Sequence, residues 1–202
     1  MTESTVYLLD SSSGKMVEAT LSDEVTDEHL ALWDRDWAPE MRAFAASGVH
    51  PTPEDSHWDW KAKAQKWRTY LKYQSGALVC EGKLQGLMLL NNLESARLPE
   101  QFGKPIMYVE FVATAPWNRP ELRIPPRFRG VGRIFILAAI HFSIDAGFKG
   151  RIGLHSLPKA EDFYENKCGM TRLGADSSHQ NLTYYEMTET QAEAFRRNHE
   201  ES

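Results

Sequence analysis

The chain has 202 residues, 42% hydrophobic, 25% charged and 11% aromatic, a balance that suits one folded domain and excludes collagen-like, coiled-coil and disordered chains. Its net charge of −5 is unevenly spread: residues 1–60 hold thirteen acidic side chains against three basic ones, whereas Arg119, Arg123, Arg127, Arg129 and Arg133 face only Glu121. An acidic chain with one concentrated basic stretch is a poor general nucleic-acid binder and a good holder of a single polyanion, so a small phosphorylated ligand is expected.

No apolar run approaches the ~18 residues of a membrane span. The first thirty residues are acidic and lack an apolar core segment, so neither a secretory signal nor a transit peptide is expected, and the location expected is cytoplasmic. Cys80 and Cys168 sit among apolar neighbours and read as reduced core thiols rather than a pair or a metal site.

In chain order, residues 6–10 and 16–21 predict two strands around the turn Ser11-Ser12-Ser13-Gly14. Over 26–46 the apolar residues Leu30, Trp33, Trp37, Met41 and Phe44 recur every three or four positions, and Pro39 divides the stretch into two short helices. Thr52-Pro53-Glu54-Asp55 has the form of a helix opening, with Thr52 as cap and a helix to about Tyr73 whose inner face is Trp60, Ala64, Trp67 and Leu71. Its lysines, Lys61 to Lys72, read as a solvated face.

Residues 77–81 and 84–91, joined through Gly82-Lys83, predict a hairpin, and 107–115 a longer strand that Pro116 ends. Pro120, Pro125 and Pro126 make the next stretch an extended loop. Residues 131–146 are apolar almost all round, which predicts a buried helix stopped by Gly147. A strand over 151–157, a helix over 158–167, strands over 170–173 and 182–187 and a final helix to about Asn198, opened by the capping box Thr188-Glu189-Thr190-Gln191, complete the chain.

Chemistry concentrates between Glu110 and Gly132, where a strand and a loop lead into Arg127-Phe128-Arg129-Gly130-Val131-Gly132 at the first turn of the buried helix. A helix N-terminus presents unpaired N–H groups and partial positive charge, and glycines let a pyrophosphate approach those donors. No Gly-Lys-Ser/Thr follows, and the third glycine of the dinucleotide fingerprint is missing. The alternative is a glycine-bearing cap with solvent-exposed arginines.

Arg127, Gly130 and Gly132 match a signature of Gln or Arg, two residues, Gly, one residue, Gly or Ala; Ala160, Phe163-Tyr164 and Gly169-Met170 match a second segment downstream. With both in order, residues 76–187 resemble the GNAT family of acyl-CoA-dependent N-acetyltransferases. The resemblance implies a single α/β domain with a mixed, mostly antiparallel sheet of about six to seven strands, splayed at the fourth strand and flanked by helices. In it, 1–75 would cover the acceptor side, 76–187 form the acyl-CoA-binding core and 188–202 the C-terminal helix and tail. It also implies acetyl-CoA as co-substrate without a metal. The pantetheine would lie beside Phe111, Val112 and Ala113, the pyrophosphate on the amides of Phe128, Arg129, Gly130, Val131, Gly132 and Arg133, and Tyr164 would protonate the leaving thiolate.

Transfer to an amine by direct attack in a ternary complex needs a neutral amine, whereas a lysine-like amine with pKa about 10.4 is almost fully protonated at neutral pH. Glu110 is the first candidate to take that proton, directly or through a water, and His155 the second. Glu110 paired with a neighbouring arginine is the alternative. Cys168 lacks an evident base and reads as structural. Trp33-Asp34-Arg35-Asp36-Trp37 and His57-Trp58-Asp59-Trp60 combine aromatic rings with carboxylates, which suits a cationic amine, so Asp36 and Asp59 are the candidate acceptor-binding residues; the alternative makes Trp33, Trp37 and Trp60 ordinary core. The acceptor is a primary amine of a small molecule or a protein, handled by a monomer or homodimer. A CoA-binding sensor without turnover is the competing function, and acetylation of charged transfer RNA, opposed by the acidic N-terminal third, a third.

Overall fold

Alternation of apolar and polar residues zips β1 (Glu3–Asp10) antiparallel to β2 (Met16–Ser22) and turns Leu8 and Ala19 inward. The computed structural model describes residues 2–48 and 53–200. Asp10 organises the hairpin turn: its N–H donates to the Lys15 carbonyl at 2.9 Å, and its carboxylate accepts from the Ser12 amide at 2.7 Å and the Ser12 hydroxyl at 2.6 Å.

Thr26 and His29 form a capping box at the start of α1 (Asp27–Leu32). A wider π turn, Trp33–Trp37, leads into α2 (Ala38–Ser47), with Pro39 in its first turn, where no N–H is required. The wide turn keeps both Trp33 and Trp37 on the buried side. The helix expected from Thr52 is much shorter: α3 spans Trp60–Trp67, Asp59 caps it by accepting from the Ala62 amide at 3.0 Å, and residues 54–57 form a turn. Thr52 lies outside the described residues. Asp55 explains the shortening, because its carboxylate is committed to a buried ion pair with Arg119 rather than to a helix opening. Trp60, Ala64 and Trp67 are buried as expected, whereas Leu71, beyond the helix end, is fully exposed.

The remaining strands are β3 (Tyr73–Cys80), β4 (Lys83–Ser95), β5 (Pro105–Thr114), β6 (Phe128–Arg129), β7 (Ile152–Ser156), β8 (Thr171–Asp176) and β9 (Leu182–Met187). They form one mixed, mostly antiparallel sheet in the order β6-β1-β2-β3-β4-β5-β7-β9-β8, flanked by helices. Among the described residues the sheet has nine strands, more than the six to seven expected. One addition is β6, a two-residue edge strand in which Phe128 and Arg129 pair with Asp10 and Leu9; so short a segment carries no alternation to read. The parallel ladder aligns Met107, Tyr108 and Val109 of β5 with Ile152, Gly153 and Leu154 of β7.

The chain forms two compact units, Met1–Met88 with Phe111–Ile134 and Leu89–Glu110 with Phe135–Ser202. The buried helix α4 (Val131–Asp145) matches its apolar sequence. The helix expected over 158–167 is present as one continuous helical stretch, 3-10 at Pro158–Ala160, α at 161–162 and π at Phe163–Lys167. α5 (Glu189–Glu200) opens on the expected capping box, in which the Thr188 amide donates to Gln191 Oε1 at 2.9 Å and the Gln191 amide to Thr188 Oγ1 at 3.2 Å. Cys80 and Cys168 are buried and form no disulfide, and no helix of the described residues is long and apolar enough to cross a membrane.

Candidate active site

In the first unit the loop between β5 and β6 is fixed at both ends by buried polar groups. The Arg119 guanidinium grips both oxygens of Asp55 at 2.6 and 2.7 Å and donates to the Thr114 carbonyl at 2.7 Å; the two charged side chains are only 8% and 10% exposed. Gln85 Oε1 accepts from Trp117 Nε1 and Asn118 Nδ2, each at 2.8 Å, and Asn118 Oδ1 takes the Phe128 N–H at 2.9 Å. Arg127 donates its N–H to the Trp117 carbonyl at 2.7 Å and pairs its guanidinium with Glu81.

The signature residues therefore enter α4 from a fixed turn. Gly130 has φ +100, a conformation a side chain would strain, and its carbonyl accepts the first helical hydrogen bond, from Ile134, at 3.0 Å. The amides of Gly130, Val131 and Gly132 precede that bond, where a helix has no internal acceptor to offer. Together with Thr114, Asn118 and the prolines of the loop they line a cleft of about 490 Å³. Arg129 is exposed and Arg133 half-buried. Of the amides expected to meet a pyrophosphate, that of Phe128 is already given to Asn118.

At the end of β5, Phe111 and Val112 are half-buried and Ala113 is buried. Trp58 meets Phe111 edge-on at 4.9 Å, and Lys63 Nζ lies 3.3 Å from the Phe111 ring centre, so one lysine of the supposed solvated face is a cation–π partner. Trp33, Trp37 and Trp60 are core, and with Trp58, His57 and Asp59 they also line a pocket of about 190 Å³. Asp36 is held by Arg35 through two hydrogen bonds, of 2.8 and 2.6 Å, which lower its pKa. It is not among the residues lining that pocket, and Asp59 reaches it with a carboxylate engaged in capping α3.

The second unit holds the acid and base candidates. Glu110 is half-buried on β5, and strand alternation puts it on the face of Tyr108. His155, with a side chain 3% exposed, bridges Tyr108 Oη and Asp176 Oδ2 at 2.7 Å from Nδ1 and 2.9 Å from Nε2. Its ring stacks on His179 at 3.9 Å between centres. Asp176 also accepts from Arg97 at 2.6 Å and from the Ser178 amide at 2.9 Å. Hydrogen bonds from Ser178, Arg97 and His155 hold this carboxyl far below its ordinary pKa, burial lowers that of His155 against the opposing pull of Asp176, and burial, then the charge of Glu110, raises that of the Tyr108 phenol. Tyr164 is buried against Phe163 and Tyr185, and its phenol too is raised by burial.

His155, Asp176 and His179 bring three metal-ligating atoms within 4.8 Å of one another. Arg97, however, occupies the same Asp176 oxygen as the imidazoles, and the two rings lie parallel to within 9°, so their nitrogens point side by side rather than to one centre. That donor set suits a hydrogen-bonded chain better than a cation. Sequence reasoning singled out His155 but not Tyr108, Asp176 or His179. The available signal was the alternation that places Tyr108 beside Glu110 on one strand face.

No protein-family model and no curated protein matches the chain. Solved structures do. The GNAT domain of PAT from S. lividans superposes with a TM-score of 0.54 at 13% identity over 92% of this chain and 96% of its own. A GNAT-family protein from Desulfovibrio desulfuricans gives 0.53 at 13% identity over 84% and 98%. The Bacillus subtilis N-acetyltransferase YlbP, solved in complex with coenzyme A, gives 0.51 at 11% identity over 84% and 95%. The chain has the fold of the GNAT-family acetyltransferases.

Proposed function

We propose that the whole chain acts as one acyl-CoA-dependent N-acyltransferase domain that moves an acetyl group from acetyl-CoA to a primary amine by direct attack. The observation that carries this reading is the glycine-bearing turn Arg127 to Gly132, which delivers the N-terminus of α4 and its amides to the 490 Å³ cleft. The phosphates of CoA would sit on the amides after Phe128, with Arg129 and Arg133 supplying charge, and the pantetheine would run along Phe111, Val112 and Ala113. The complex of YlbP with coenzyme A supports a CoA ligand for this fold.

Holding thioester and amine together removes the entropy of encounter. Tyr164 is the proposed acid: a phenol raised above its ordinary pKa keeps its proton at neutral pH and can give it to the departing thiolate. Proton removal from the amine belongs to the face of β5 that carries Glu110, by that carboxylate, a water or the neighbouring histidine. The tryptophan pocket with Asp59, and Asp36 on the preceding helical turn, are proposed for the acceptor side.

The test is calorimetric titration of acetyl-CoA into wild type and Gly132→Glu, whose carboxylate would repel the pyrophosphate. Binding by wild type that the variant loses is the expected result; a folded wild type that binds no acetyl-CoA would end the reading. Deep burial of Tyr164 favours a second reading, CoA binding without turnover, and steady thiol release with any amine would exclude it.

A further inference from the structure

We propose that Tyr108, His155 and Asp176 form a one-way proton relay in which Tyr108 Oη takes the proton of the acceptor ammonium. The proposal rests on the acyl-transfer reading and assigns its missing base.

The direction of the relay follows from the hydrogen-bond inventory. Asp176 is ionised and can only accept, so His155 Nε2 carries the hydrogen between them. His155, buried and held neutral, then presents Nδ1 as an acceptor, and Tyr108 must donate its O–H to it at 2.7 Å. That leaves the lone pairs of Tyr108 Oη for an outside donor. An ammonium suits them, because Glu110 stands on the same face of β5 and its charge, with that of Glu94 and against that of Arg97, acts on the phenol.

The surroundings fix the histidine. Gly153, opposite Tyr108 in the β5–β7 ladder, has no side chain; a Cβ there would lie 2.4 Å from Tyr184 Oη. Tyr184 instead rests against the His155 ring at 4.9 Å and donates to the buried carboxylate of Glu186 at 3.1 Å. The other groups facing His155 are Asp176, which raises its pKa, and His179 and Arg97, which lower it. Burial lowers the imidazole's pKa most, and His179 and Arg97 add to it against Asp176, so the imidazole stays neutral until a proton arrives.

The step balances. One ammonium proton passes to Tyr108 Oη as the phenolic proton passes to His155 Nδ1, giving an imidazolium braced by Asp176. The freed nitrogen lone pair forms the C–N bond, the C–S bond breaks, and the thiolate leaves as thiol after taking a proton from Tyr164. The proton still on the new amide nitrogen re-charges Tyr164, and the imidazolium releases its own to water. Tyr108 is thus the catalytic residue, and His155 and Asp176 are positioning residues that act through it.

The experiment follows thiol release from acetyl-CoA by the full chain as a function of pH, with spermidine, tyramine and lysine methyl ester as probe amines, for wild type, Tyr108→Phe and Asp176→Asn. Acetyl-CoA affinity is measured on all three by calorimetry. Tyr108→Phe is expected to bind acetyl-CoA normally and to lose about 10²-fold in kcat with little change in KM. Asp176→Asn is expected to shift the acid limb of kcat/KM to lower pH, because the carboxylate that raised the pKa of His155 is gone. Full kcat in Tyr108→Phe, or an unmoved acid limb in Asp176→Asn, would overturn the relay and leave acyl transfer standing. A wild type that fails to bind acetyl-CoA, or that releases thiol with none of the three amines, would overturn both.

Discussion

Gly130 shows how much one residue can constrain. At φ +100 it turns the chain from β6 into α4, and the nearest atom an added Cβ would meet, a methyl of Leu8, is at 3.9 Å, so backbone strain rather than crowding is the obstacle. Gly130→Ala should therefore cost about 1–2 kcal/mol in urea denaturation, and an unchanged midpoint would show that the turn relaxes. The glycine spacing of this segment was legible in the sequence because it stands within six consecutive residues. The partners of its neighbours were not: Asn118, which takes the Phe128 N–H, is itself fixed by Gln85, thirty-odd residues earlier, and nothing local marks either as structural.

Among the elements, α3 and the loop after β5 decide one another. Asp55 lies where the sequence reads as the opening of a helix, yet the turn over 54–57 delivers its carboxylate to Arg119, and the pair is buried. Removing one member of such a pair leaves the other charge unpaired, at a cost of about 3–5 kcal/mol. Asp55→Ala should be destabilised on that scale by equilibrium unfolding, and a loss no greater than a surface pair gives, about 1 kcal/mol, would mean that water reaches Arg119. Helical periodicity located Trp60, Ala64 and Trp67 correctly, since burial follows the 3.6-residue repeat. It overran at the N-terminal end because a distant charge outweighed the local cap, and at the other end it ran past Trp67 to Leu71, which is fully exposed.

For the whole molecule, acid is the expected threat. Burial lowers the pKa of His29 and His155 below the ordinary 6.5, and hydrogen bonds lower those of Asp10, Asp34, Asp36 and Asp176 below the ordinary 3.8. Each group binds its proton more weakly folded than unfolded, so its contribution is complete above the ordinary value and is lost as pH falls through the folded one. Thermal stability should thus decline as pH drops below 6.5 and more steeply below 3.8. Melting curves across that range check the order, and a flat profile down to the carboxylate range would remove the histidines from the account.

By itself the sequence determined the α/β class, most strands, the buried helix α4, the capping box of α5 and the basic glycine turn, because each rests on residues adjacent in the chain or repeating at a helical or strand period. Tertiary structure decided what depended on partners far apart: the edge strand β6, paired with β1 across more than a hundred residues; the burial of Asp55 with Arg119; and the meeting of Tyr108, His155 and Asp176 on three strands. A strand's own sequence states which residues share a face, but only the order of strands in the sheet states which faces meet, and proton chemistry is set by that meeting.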